Sequence, residues 1–246
     1  DDKRAIGCLA KSGQLKVVVL GGYGVFGSRH VQLLVRDGHK VVVAGRSGSK
    51  AHAFLAKNDL DGIVEVLEMD RSGDLTTLWD QRPDVVVDAA GPFHGYGQEP
   101  YRVAQGCIDK GAHYLDLADD PAFCAGISTL DQAAKAAGVF VLSGASSVPA
   151  ISSSVVAALS KSVTEVDMIS TAILPGNRAP RGRAVVESIL HQCGRDIAVT
   201  LDRSQHQARS WSRPHAFALS NEVSRRAWLM DVPDNRLFPD FFGART

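Results

Sequence analysis

Gly22, Gly24 and Gly27 stand in the spacing Gly-x-Gly-x-x-Gly directly after the β-branched run Lys16–Leu20. At the end of a strand, that spacing builds a phosphate cradle. The first glycine permits the tight turn, the second lets the backbone approach a pyrophosphate, and the third lets a following helix pack closely on the strand. A helix expected over Val25–Arg36 would present its free N–H groups and the positive end of its dipole to the phosphates. Gly22, Tyr23, Gly24, Val25, Phe26 and Gly27 are therefore candidates to hold a dinucleotide. A bare strand-to-helix turn without a ligand is the plain alternative.

The second strand speaks to the kind of dinucleotide. An NAD site usually carries Asp or Glu about 20 residues beyond the turn, to bond the ribose 2′-hydroxyl. Here that place reads Ala44-Gly45-Arg46-Ser47. Arg46 can pair bidentately with a 2′-phosphate and Ser47 can donate to it. NADP(H) is thus expected over NAD(H), against a reading of Arg46 as a solvated loop cation. Asp70 and Arg71, after the third strand, are placed beside the adenine, although Asp70 also reads as a helix N-cap. Ala90, Gly91 and Pro92, after the fourth, are small enough to admit the ribose–nicotinamide half.

A redox reaction also needs a proton source or sink. Tyr114 and Asp116 lie two residues apart on one side of an expected strand. Tyr114 could donate a proton and Asp116 could orient an amine or imine. The competing readings are a core aromatic for Tyr114 and a structural bond to a neighbouring loop for Asp116. His94 could act as acid or base near neutral pH, or sit on the surface as a solvated residue. Asp119 or Asp120 reads as the cap of a helix opening at Pro121. Ser146 and Ser147 read either as ligands for a carboxylate or as caps.

The elements that must position these residues alternate regularly up to about residue 150. Strands are expected over Lys16–Leu20, Lys40–Ala44, Ile63–Glu68, Asp84–Ala89, Ala112–Leu117 and Val139–Leu142. Helices are expected over 25–36, 49–58, 73–80, 101–110 and 122–137, with glycines at 38, 111 and 138 as stops. Short apolar strands joined by helical crossovers imply an α/β, Rossmann-type doubly wound parallel sheet. Beyond residue 150 the rhythm breaks. A helix over roughly 150–160, a longer strand Glu165–Leu174, a Pro/Gly loop and a helix Val185–Gln192 precede short strands. This suggests a second, smaller α+β domain over 151–246, after a tail at 1–14 and a nucleotide-binding domain at 15–150.

GGYGVFG, AGRS, VVVDAAGPF, GAHYLDLADD and SGASSVP, in this order, resemble the saccharopine dehydrogenase-like NADP-binding oxidoreductases over roughly residues 16–190. The resemblance implies a Rossmann domain, a second domain built on a mixed or antiparallel sheet, and nicotinamide-dependent oxidation or reduction of a small molecule. Known members act on saccharopine, on related imines or on lipid-linked substrates. The bond oxidised or reduced would be C=N, C=O or C=C. A homodimer is implied by the resemblance alone. Members usually run well past 300 residues, so the second domain is expected to be incomplete. That shortness motivates an alternative, a non-catalytic NADP(H)-binding sensor or scaffold.

Composition narrows the field further. The 246 residues carry 27 Lys and Arg against 27 Asp and Glu, so no overall positive charge argues for nucleic acid as a partner. No apolar run approaches the ~18 residues of a membrane span. Cysteines at 8, 107, 124 and 193 fit no zinc spacing, and with the scattered histidines they predict no metal site. Free thiols and the lack of a signal-type apolar stretch in residues 1–14 point to a reducing, cytoplasmic setting. The chain also lacks a Tyr-x-x-x-Lys pair, a Gly-x-Ser-x-Gly elbow and a Gly-x₄-Gly-Lys-Ser/Thr loop.

Overall fold

The computed structural model describes residues 13–176, 178–219 and 223–246. The chain divides into two compact units. One holds the chain up to Leu117 together with Ile127–Ser143; the other holds Ala118–Gly126 and Gly144–Thr246. The division falls short of the expected boundary at residue 150, and a nine-residue stretch of the chain leaves the first unit before returning to it.

The first unit is a six-stranded parallel sheet in the order β3-β2-β1-β4-β5-β6. Its strands are β1 (Lys16–Leu20), β2 (Lys40–Gly45), β3 (Glu65–Glu68), β4 (Val85–Asp88), β5 (His113–Asp116) and β6 (Val141–Leu142). Helices α1 (Gly27–Arg36), α2 (Gly48–Lys57), α3 (Thr76–Asp80), α4 (Arg102–Lys110) and α6 (Asp131–Ala137) belong to the same unit, while α5 (Pro121–Gly126) belongs to the other. The runs Val17–Leu20, Val41–Ala44 and Val85–Val87 are apolar at every position because both faces of the sheet are covered. Val17 and Val19 of β1 pack with Val31 of α1 and Leu55 of α2 on one face. Val18 and Leu20 pack with Leu78 of α3 and Val103 and Cys107 of α4 on the other. The strand order reverses between β1 and β4, so the loops leaving their carboxyl ends flank a crevice, the usual ligand position in such sheets.

Several expected boundaries move. The helix expected from Val25 begins at Gly27, leaving Val25 and Phe26 in the turn. β3 begins at Glu65, because the N–H groups of Ile63 and Val64 both return to the Leu60 carbonyl. The helix expected from residue 73 begins at Thr76, whose N–H and hydroxyl are held by the Asp74 carboxylate. The single helix expected over 122–137 is two helices, α5 and α6, separated by a 3₁₀ turn at Ile127–Leu130 and assigned to different units.

The second unit contains α5, α7 (Ser152–Leu159), α8 (Arg183–Gln192) and α9 (Pro233–Phe242). Its strands form two antiparallel hairpins, β7 (Asp196–Leu201) with β8 (Ser204–Arg209) and β9 (His215–Ala218) with β10 (Ser224–Ala227). α9 packs against α5 and α7, and the Ser152 hydroxyl donates to buried Asp234 at 3.0 Å. The expected strand Glu165–Leu174 has no regular secondary structure and no sheet partner among the described residues. Its backbone meets the chain terminus only locally: Ile169 N–H donates to the Thr246 carbonyl, and Arg245 and Thr246 N–H donate to the Asp167 carbonyl. Without a continuous neighbour the segment cannot form a ladder, and Met168 and Ile173 stay exposed. No helix among the described residues is long and apolar enough to cross a membrane.

Candidate functional site

The turn after β1 is held closed by its own backbone. Gly24 N–H donates to the Gly21 carbonyl at 2.8 Å, and Gly21 N–H donates to the Ala44 carbonyl of β2 at 2.8 Å. Gly21 has φ +70°, which a side chain rarely adopts, and a Cβ there would come within 2.8 Å of the Ala89 carbonyl and the Ala90 Cα. The turn thus lies directly against the chain that leaves β4. A Cβ on Gly27 would run into the Gly21 carbonyl, so the first turn of α1 can sit on the strand end only as glycine. Gly24 is open apart from the Gly21 carbonyl at 3.1 Å. A turn with glycine at 21, 22, 24 and 27, at the N-terminus of a ten-residue helix and at the point of strand reversal, fits a pyrophosphate. The glycine with the demanding conformation is Gly21, which the Gly-x-Gly-x-x-Gly spacing does not single out.

Tyr23 connects this turn to the end of β2. Its ring lies over Gly45, where a Cβ would approach to 2.7 Å, and its hydroxyl accepts from Ser47 N–H at 3.1 Å. Arg46, between these two contacts, is exposed and forms no ion pair or hydrogen bond among the described residues. Ser47 caps α2, its hydroxyl oxygen accepting from Lys50 N–H, and lies 3.0 Å from the Ser49 hydroxyl. Val25 and Phe26 complete the turn, and the Phe26 side chain is exposed.

Asp70 does not cap a helix. Its carboxylate accepts from Ser72 N–H at 2.8 Å and closes a local turn, leaving the residue exposed at the end of β3. Arg71 departs from its expected place beside the adenine. It is 9% exposed, it faces Asp88 at 3.2 Å, its guanidinium stacks 3.3 Å over the Tyr96 ring, and it donates to the Pro100 carbonyl. Asp88 closes β4 fully buried, and its carboxylate also accepts from the Tyr96 hydroxyl and from Ala90 N–H. Burial pushes the Asp88 carboxyl up from its ordinary range, against the opposing charge of Arg71. Burial and the Asp88 charge push the Tyr96 phenol up as well. Sequence reasoning missed this Arg71–Asp88–Tyr96 cluster. It anchors Ala90 through its N–H, and Ala90, Gly91 and Pro92 are half-buried.

The acid–base candidates separate. Tyr114 is 1% exposed in the core between the sheet and α4, and burial raises its phenol well above the usual value. A proton donor must reach a ligand, so Tyr114 is a core aromatic and the expected role is withdrawn. Asp116 is fully buried and accepts from the Ser143 hydroxyl at 2.8 Å, which is the structural bond that competed with its catalytic reading. Asp120 caps α5 through Phe123 N–H at 2.8 Å. Ser146 shows no side-chain cap. His94, in a short 3₁₀ turn beside Pro92, remains half-buried at the crevice.

The saccharopine dehydrogenase NADP binding domain matches residues 17–142 of this chain. No curated protein matches it. Among solved structures, saccharopine dehydrogenase (L-Glu forming) from Saccharomyces cerevisiae superposes with a TM-score of 0.67, over 94% of this chain and 53% of that one, at 15% identity. Pen from Bacillus thuringiensis gives 0.46 over 53% and 50%, at 14% identity. FolM alternative dihydrofolate reductase 1 from Brucella canis, solved with NADP, gives 0.43 over 52% and 71%, at 18% identity. The chain spans about half the length of the yeast enzyme and of Pen. The yeast likeness is one of fold, and it includes the parallel sheet derived above. The cofactor of the matched domain is NADP(H), and a glycine turn followed by an unpaired arginine suits it. With the matched model covering half of its length, the chain belongs to the saccharopine dehydrogenase family through its NADP binding domain.

Proposed function

We propose that this protein is an NADP(H)-dependent oxidoreductase acting on a C=N, C=O or C=C group of a small molecule. The observation that carries the reading is the glycine turn Gly21–Gly27, whose Gly21 is closed against Ala89 and Ala90 where the strand order reverses. In this reading Gly22–Gly27 hold the pyrophosphate, and Arg46 with the Ser47 hydroxyl holds the 2′-phosphate. Asp70 borders the adenine, and Ala90–Pro92 admit the nicotinamide half. The bound cofactor supplies or accepts a hydride. With Tyr114 and Asp116 buried, His94 is the candidate left to move a proton at the crevice. A homodimer belongs to the same proposal, supported by family likeness, and sedimentation velocity tests it.

Calorimetric titration of NADPH and NADH into the chain and into Arg46→Ser tests the site. A bidentate charged contact is worth enough that its loss should weaken NADPH by more than about tenfold, with NADH changed by less than about twofold. Equal losses for both cofactors would remove Arg46 from the 2′-phosphate. Tight NADPH binding without consumption across a panel of imines, ketones and enoyl compounds would favour a non-catalytic sensor.

A further inference from the structure

Three N–H groups where α2 opens are satisfied from within. Ser47 N–H donates to the Tyr23 hydroxyl at 3.1 Å, Gly48 N–H donates to a Glu68 carboxylate oxygen at 2.7 Å, and Lys50 N–H donates to the Ser47 hydroxyl at 3.4 Å. A helix N-terminus in this position would otherwise offer those groups to an anion. Glu68 is the last residue of β3 and pairs in register with Gly45, the residue before Arg46. Met69 N–H bonds the Gly45 carbonyl at 3.0 Å and fixes that neighbourhood. A Cβ on Gly48 would lie 2.5 Å from the same Glu68 oxygen, so glycine at this position lets the carboxylate seat against the backbone.

We propose that Glu68 is a specificity-determining residue for the cofactor: its carboxylate occupies the N-terminus of α2 and sets a fixed negative charge beside the place of the 2′-phosphate. Two consequences follow. The phosphate is read by the Arg46 side chain and the serine hydroxyls rather than by the helix N-terminus. The carboxylate also repels the phosphate and thereby moderates the preference for NADP(H) over NAD(H). Glu68 forms no ion pair with Arg46 within 4.0 Å, so its charge is not cancelled there. This inference rests on the assignment of Arg46 to the 2′-phosphate.

Glu68→Gln separates the two claims, because the amide oxygen can still accept from Gly48 N–H while the charge is gone. Kd values for NADPH and NADH are compared among the parent chain, Glu68→Gln and Arg46→Ser, at low and high salt, with the thermal midpoint of each variant. The expected result is an increase of about threefold in the preference of Glu68→Gln for NADPH, largest at low salt, with NADH nearly unchanged. An unchanged or reduced preference in Glu68→Gln, with Arg46→Ser losing NADPH selectively, overturns the role of Glu68 alone. Unchanged preference in Arg46→Ser overturns the assignment of the phosphate, and with it the inference.

Discussion

At the scale of single residues, the most consequential group is one that no motif announces. Asp88 lies fully buried at the end of β4, held by Arg71, Tyr96 and Ala90. The Arg71–Asp88 approach is close but off the line of a good hydrogen bond, so the Asp88 oxygen facing Arg71 depends on charge rather than on a shared proton. Replacing Arg71 with Met would leave a buried carboxylate without its counter-charge. Urea unfolding should register a loss of about 3–5 kcal/mol. Tyr96→Phe removes one hydrogen bond and should cost about 1–2 kcal/mol. If Arg71→Met proved the milder of the two, the cluster would not be held by charge. The sequence shows why this was hard to read. VVVDAAG looks like any strand end, and its partner arginine lies in another loop. Tyr114 failed for a related reason: in a sheet covered on both faces, two-residue alternation separates one face from the other, and both are core.

At the scale of elements, the parallel strands were readable because three-residue valine runs admit little else, and because glycines at 38, 111 and 138 stop the helices before β2, β5 and β6. Gly27→Ala tests the packing of β1 on α1. Its methyl group would meet the Gly21 carbonyl, so the turn must open; NADPH binding should fall by more than about tenfold alongside a loss of roughly 1–3 kcal/mol in stability. Full affinity in a stable Gly27→Ala variant would mean that the turn does not approach the cofactor. The irregular elements were less readable. The segment 122–137 has uniform helical composition, but α5 is captured by α9 while α6 packs with α4 in the first unit, a choice made by distant residues. The α7–α9 pairing through Ser152 and Asp234 offers a pH test. Burial raises the Asp234 carboxyl above its ordinary 3.8. A group whose folded pKa is raised stabilises the fold below the unfolded value, and that contribution is lost as pH rises through the folded value. Asp234→Asn keeps an acceptor for the Ser152 hydroxyl and does not ionise. Its urea midpoint should therefore gain on the parent as pH rises from about 4 to 7. Parallel profiles would show that Asp234 titrates normally.

At the scale of the molecule, the two units are built on different terms, and the cofactor should be felt by the first. The sheet buries valines on both faces, and the glycine turn after β1 is bonded to β2 and packed against the end of β4. Most of the large exposed apolar side chains, from Ile151 and Val155 to Trp228 and Phe241, lie instead in the second unit. The excursion of 118–126 is not legible in the sequence, because a short helix carries no mark of the unit that will bury it. A ligand that binds only the folded state stabilises it by about 2.7 kcal/mol at about 100 times its Kd. Amides of β1, β2 and β4 that exchange through unfolding of the first unit should therefore slow by about 100-fold when NADPH is added at that excess. Arg46→Ser at the same NADPH concentration should show less than a tenth of that protection if binding weakens as proposed, while NADH should protect both forms to a similar degree. The amides of β7 and β8 provide the comparison. If they slow as much as β1, the two units unfold together; if β1 itself is unprotected, the turn does not hold the cofactor, and the argument built on its glycines fails at its first step.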